Sequence, residues 1–131
     1  MKNQILKYFE EKAFCYQELS SQGFWGWQRN RERKIVFELL GPLEGLELLD
    51  LGCGAGYYIR YALSYNTQHV VGVDISASMI AALPKKKVTG LVGQAEAISL
   101  PRRFSRILST GLLEFVVEPQ NLLKNARNHA N

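Results

Sequence analysis

Two aspartates and three glycines are the residues best placed to do chemistry together. The run Asp50-Leu51-Gly52-Cys53-Gly54-Ala55-Gly56 alternates glycine with other residues, and Asp74 follows 18 positions after Gly56. Glycines so spaced let a backbone turn tightly and let a ligand reach main-chain N–H groups with no side chain between. A carboxylate about twenty residues further on, at the end of the next strand, can accept both hydroxyls of a ribose. Asp50 and Asp74 are the only aspartates among 12 carboxylates, so their placement at these two points argues for a ligand rather than a bare turn.

The spacing separates ligand types. Dinucleotide loops run G-x-G-x-x-G and leave a helix N-terminus for a pyrophosphate. Here the run is G-x-G-x-G, and Asp50, two residues before the first glycine, would repel a pyrophosphate. A cationic group suits it better, because opposite charges attract strongly at a partly desolvated site.

The elements that must position these residues are set by periodicity. Ile5, Leu6, Phe9, Ala13, Tyr16 and Leu19 recur at helical spacing over residues 2 to about 20, and Ile35, Val36, Leu39 and Leu40 mark a second helix from about Arg29 to Leu40. Gly23-Phe24-Trp25-Gly26-Trp27 reads as an aromatic connector between them. Short apolar runs predict strands over Leu46–Leu51, His69–Asp74, Val88–Val92 and Phe104–Ser109, with helices over Ala55–Tyr65, Ser76–Leu83 and Asn121–Asn128 between and after them. Alternating strands and helices with short links predict an α/β fold, a Rossmann-like three-layer sandwich with a mainly parallel sheet that stops after the fourth strand and its helix. One domain over residues 1–131 is expected, with a helical cover at 1–42 and an α/β core at 43–131.

Composition limits the classes. With 131 residues, 47% apolar and 21% charged, the chain is neither a disordered tail nor a collagen-like fibre nor a disulfide scaffold. No apolar run has the ~18 residues of a membrane span, and glutamates interrupt the start where a signal peptide needs an apolar core; a cytoplasmic location is expected. Cys15 and Cys53 lie far apart, so reduced thiols are expected, and His69 and His129 lack partners at ligand spacing, so no metal site is expected. The net charge of +4 arises in residues 75–131, which hold 8 Lys/Arg against 3 Asp/Glu. Three basic groups, around Arg29–Lys34, Lys85–Lys87 and Arg102–Arg106, read as solvated faces, since Glu32 and Glu38 interleave the first. They argue against a nucleic-acid partner.

The sequence resembles the class I S-adenosylmethionine-dependent methyltransferases, particularly the small-molecule branch called type 11 or type 12, over roughly residues 30–128. Leu48 through Gly56 looks like the family's first motif, and Gly72-Val73-Asp74-Ile75-Ser76 looks like its second. The resemblance implies S-adenosylmethionine as cofactor, S-adenosylhomocysteine as product and a small-molecule methyl acceptor. It places Asp50, Gly52, Cys53, Gly54 and Gly56 around the methionine half, Asp74 on the ribose, and Ile75 and Met79 against the adenine. Gly93-Gln94-Ala95-Glu96 is similar to the segment that meets the adenine edge, with Gln94 and Ala95 in contact. Tyr8, Tyr16, Trp25, Trp27 and Glu114 would line the acceptor pocket. No catalytic residue is assigned, because in-line methyl transfer is served mainly by alignment. Three departures stand out. Gln94 replaces a common Asp, Phe104-Ser105-Arg106 replaces a common Phe-Asp, and Phe115 stands where some relatives have a histidine. The family's sheet has seven strands, so a chain ending after the fourth would expose Ile107 and Leu108 on a strand edge, which a second copy of the chain is expected to cap as a homodimer. The alternative is a partial or inactive cofactor-binding module.

Overall fold

Valine- and leucine-rich runs bounded by glycine, asparagine or proline favour strands buried on both faces, and the runs Leu48–Leu51 and Val70–Val73 are buried in that way, whereas Val88–Val92 is partly exposed. A computed structural model describes residues 2–12 and 23–131. The elements are α1 (Lys2–Lys12), α2 (Gly23–Leu40), β1 (Glu47–Leu51), α3 (Tyr57–Ser64), β2 (His69–Asp74), α4 (Ala77–Ala81), β3 (Val88–Val92), β4 (Arg106–Leu108) and α5 (Pro119–Asn128). The four strands form one sheet in the order β3-β2-β1-β4, and every pair is parallel.

Alternation along the central strands divides the core in two. Leu48 and Val70 face α3, where Ile59 and Ala62 are buried and Val36, Phe37 and Leu40 of α2 pack alongside. Leu49, Leu51, Val71 and Val73 face the other way, onto Phe104 and Leu122, the latter from α5. Helices therefore cover both faces, which is the expected three-layer sandwich. None of the helices described is long and apolar enough to cross a membrane.

Several boundaries differ from the sequence expectation for physical reasons. Helix α2 begins at Gly23 and absorbs the aromatic connector. Glycine costs only about 1 kcal/mol inside a helix, and Gly26 is buried. Helix α3 starts at Tyr57 because Gly56 adopts a left-handed φ of 89° at its N-cap. Strand β4 is shorter than expected. Phe104 is diverted to the end of α5, donating its N–H to the His129 carbonyl at 2.7 Å and accepting from the Asn131 N–H at 3.1 Å, in a parallel bridge to Ala130. Helix α5 begins two residues early, at Pro119, whose fixed φ and missing N–H suit a first helical turn. Residues 13–20 of the first expected helix lie outside the described residues.

Gly72, central in β2, shows how tightly α3 sits on the sheet. A Cβ there would lie 2.8 Å from Ile59 Cδ1 and 2.9 Å from Cys53 Sγ. Gly72→Ala is expected to destabilise the fold by about 1–3 kcal/mol through overpacking. Ile59→Val, which removes the obstructing methyl, should cost less in that background than in the wild type. Urea unfolding of the four proteins tests this coupling, and strictly additive costs would refute it.

Candidate functional site

All four strands run in one direction, so their carboxyl ends open on one rim, where ligands of such sheets bind. The β1–α3 loop at that rim is held in an unusual shape: Gly52, Gly54 and Gly56 take φ values of 80°, 53° and 89°, a region that side chains with a Cβ enter at a cost. The N–H groups of Gly52 and Cys53 both donate to the Val73 carbonyl, at 2.8 and 3.0 Å, which ties the loop to β2. Asp74 then joins two loops with one carboxylate. Its Oδ2 accepts from the Gly54 N–H and its Oδ1 from the Ser76 N–H, each at 2.9 Å. Ser76 in turn caps α4 by accepting from the Met79 N–H.

Above this frame lies a cavity of about 340 Å³, within the range of small-molecule sites. Gly52, Cys53 and Gly54 form one wall, Asp74, Ile75 and Met79 the floor beside β2, and Gln94 and Ala95 the wall beyond β3. Tyr8 of α1 and Glu114 also reach it. Four expected residues stand elsewhere. Gly56 does not line the cavity, and a Cβ on it would strike Leu83 at 2.7 Å, so its glycine serves packing. Asp50 is 1% exposed beneath the glycine loop. Trp25 and Trp27 do not line the cavity either; they project from α2 at 66% and 59% exposure, where Phe24 and Arg31 contact them. Tyr16 lies outside the described residues.

Residues absent from the sequence expectation complete the enclosure. Tyr57 and Tyr58 open α3 directly after the glycines, and Arg29 lies with its guanidinium 4.0 Å from the centre of the Tyr57 ring. The two tyrosines were visible as an aromatic pair next to the loop. Arg29 carried no such signal, being one member of a basic cluster on a helix.

Electrostatics narrow what the cavity suits. Burial, and secondarily the charge of Asp74, push Asp50 up to about 7, and its Oδ1 has no hydrogen-bond partner among the described residues. A buried acceptor in this state favours a positive group nearby. Burial likewise pushes the Cys53 thiol well up, with Asp50 and Asp74 adding to the effect, which disfavours its thiolate. Among the described residues no three His, Cys, Asp or Glu side chains gather to hold a metal ion. The arrangement fits a ligand with paired hydroxyls at Asp74 and a positive group near the glycine loop.

A profile of the methyltransferase domain matches residues 49–130. The chain belongs to this methyltransferase-domain family. It is 32% identical over 76 residues to a tRNA U34 carboxymethyltransferase of Shewanella woodyi, a match covering 58% of this chain and 21% of that protein. A malonyl-acyl-carrier-protein O-methyltransferase of Bacillus cereus is 27% identical over 112 residues, covering 76% of this chain and 42% of the relative. Among solved structures, a DhpI-SAM-HEP complex superposes with a TM-score of 0.76 at 18% identity, over 98% of this chain and 60% of the other, a likeness of fold. The chain thus spans less than half the length of either curated relative. Because one methyltransferase-family relative carries tRNA in its name, the expectation against a nucleic-acid partner has no support from its kin.

The buried Asp50 makes a stability prediction for this methyltransferase domain. Its carboxyl is raised in the folded chain from an ordinary 3.8 to about 7, so folding takes up a proton between those values. The group's contribution to stability is therefore fullest below pH ~4 and falls as pH rises to about 7. Asp50→Asn should be near neutral in stability at pH 4 and stabilising by a few kcal/mol at pH 8. Thermal melts across that range check it; a difference independent of pH would contradict the assignment.

Proposed function

We propose that this chain is the cofactor-binding part of an S-adenosylmethionine-dependent methyltransferase, with the cofactor in the cavity at the carboxyl ends of β1, β2 and β3. The observation that carries the reading is the Asp74 carboxylate at the cavity floor, flanked by the glycine loop and by the apolar side chains of Ile75 and Met79. Each carboxylate oxygen has lone pairs beyond the one given to an N–H, so ribose hydroxyls can be added without breaking the loop. Gly52 and Gly54 present backbone to the methionine half, and Asp50 lies beneath them as the acceptor for its positive charge. Gln94 and Ala95 face the adenine.

When bound, the cofactor supplies a methyl group on a sulfonium centre. The protein's share is alignment and exclusion of water. Tyr8, Tyr57 and Glu114 border the side of the cavity left for an acceptor, a small molecule or a small reactive part of a larger one. Tyr16 is proposed to join this border. Trp25 and Trp27 face solvent and stand outside it.

The alternative reading is a cofactor-binding module without catalysis of its own. Calorimetry with S-adenosylmethionine and S-adenosylhomocysteine tests what the two readings share. One-to-one binding is expected, and Asp74→Ala should weaken it by roughly 1–3 kcal/mol, as when buried partners lose a hydrogen-bonding group. No heat from a folded wild-type chain would sink both readings; methyl transfer by the bound chain separates them.

The homodimer remains a proposal as well. The sheet order puts β4 at one end. Contrary to the expected exposure, Leu108 is buried and Ile107 half-buried, because each packs into one of the two core clusters; what the edge leaves open is backbone, of which among the described residues only the Phe104 rung is paired, through Ala130. Light scattering at micromolar concentration should give twice the monomer mass; a monomer mass would end the idea.

A further inference from the structure

The wall beyond β3 is held from outside the cavity by one side chain. Asn125 of α5 donates both N–H groups of its amide, one to the Ala95 carbonyl at 2.7 Å and one to the Ile98 carbonyl at 2.9 Å. Inside the same turn the Gln94 carbonyl accepts from the N–H groups of Ala97 and Ile98, at 3.0 and 2.8 Å. Three acceptors of the loop are thus engaged away from a ligand, and the loop's shape depends on a residue about thirty positions along the chain. His129, buried one turn further along α5, braces the arrangement. Its Nε2 accepts from the Leu100 N–H at 2.9 Å, which leaves the proton on Nδ1, and Nδ1 donates to the carbonyl of Asn125 itself at 2.8 Å.

The loop so held borders the base half of the proposed cofactor site, and its role in binding rests on that reading of the cavity. Val92 pairs with Asp74, and the Gly93 N–H donates to the Asp74 carbonyl at 2.9 Å. A ribose on Asp74 therefore has the glycine loop on its β1 side and residues 94–96 on its β3 side. The positive end of the cofactor is drawn toward the glycine loop above Asp50, so the base is left to the 94–96 wall, over Ile75 and Met79.

We propose that Asn125 is a positioning residue of this pocket: by fixing the carbonyls of Ala95 and Ile98 it sets the pattern of donors and acceptors facing the base, and with it the preference for adenine over hypoxanthine. Adenine offers an amino donor and an acceptor nitrogen on one edge. Hypoxanthine reverses both, to a carbonyl acceptor and an N–H donor. A wall of fixed shape accepts one pattern and leaves polar groups unpaired against the other, whereas a loop free to re-form can serve either. An aspartate at 125 keeps the shape but has no N–H to give, and alanine removes both bonds.

Calorimetry with S-adenosylhomocysteine and its hypoxanthine counterpart, S-inosylhomocysteine, tests this on the full chain. The wild type should prefer the adenine ligand by about ten-fold or more, the discrimination expected of unpaired buried groups. Asn125→Ala and Asn125→Asp should weaken the adenine ligand by about ten-fold and bring the ratio of the two affinities close to one. Asn125→Gln, which restores the amide, should recover part of the ratio. If Asn125→Ala does not fold, Asn125→Ser, whose single hydroxyl can serve only one of the two carbonyls, reads the same ratio. Unchanged affinities, or an equal weakening of both ligands with the ratio preserved, would overturn the proposal, because a merely structural role lowers both alike. A wild-type chain that binds S-adenosylhomocysteine without discriminating also overturns it while leaving the cofactor reading intact; one that binds neither ligand overturns the two together.

Discussion

The Asp74 carboxylate accepts one N–H from the β1–α3 loop and one from the β2–α4 turn, and most of the rim is arranged around those two bonds. For Gly54 to donate, the loop must pass through left-handed conformations at three glycines. For Ser76 to donate, α4 must begin directly after β2, which its own hydroxyl secures by capping Met79. The same bonds bring a second carboxylate close beneath the loop. Asp50 alternates with Leu49 and Leu51 along β1, so it points to the α3 side of the sheet, where no partner among the described residues meets its Oδ1. The site thus combines one well-satisfied aspartate with one poorly satisfied neighbour. The fold tolerates the latter because the apolar residues around it contribute far more than one group withholds.

Much of this was legible in the residues themselves, and the reason is local. His69–Asp74 and Val88–Val92 match the observed strands because short runs rich in valine suit a parallel sheet even with a glycine in the middle of each, Gly72 and Gly90. The glycine loop was legible because its conformation needs glycine at named positions. What escaped was set by distance. Whether Trp25 faces a pocket or solvent depends on how α2 rotates against α3, and periodicity could not fix that when two glycines obscured the start of the helix. Arg29 gave no sign of lining the cavity because its neighbour Tyr57 lies 28 residues further on. Asn125 looked like one polar residue on an amphipathic helix; its two acceptors belong to a loop that only the tertiary fold brings alongside.

The two faces of the sheet divide the work. On the α3 side lie the glycine loop, Asp50 and Cys53, packed with Ile59 and Leu83. On the α5 side Ala95, Phe104 and Leu122 share a cluster with Leu49 and Val73, so the wall beyond β3 is anchored in the opposite layer from the loop it faces. The cavity is therefore a seam between two half-cores, and a change in either layer alters its width from one side only.

The strand order also sets a sequence of events in folding. Glu47 of β1 pairs with His69, 22 residues away, whereas Leu48 pairs with Arg106, 58 residues away. Closing the longer loop costs about 0.9 kcal/mol more in chain entropy, which must be met before its non-local contacts reward it. Both bonds of Asp74, and those from Gly52 and Cys53 to Val73, belong to the shorter unit. The ribose-holding carboxylate and its glycine loop can thus reach native geometry while β4 and α5 are still unformed, and the base-facing wall is completed last, when Asn125 arrives to close it.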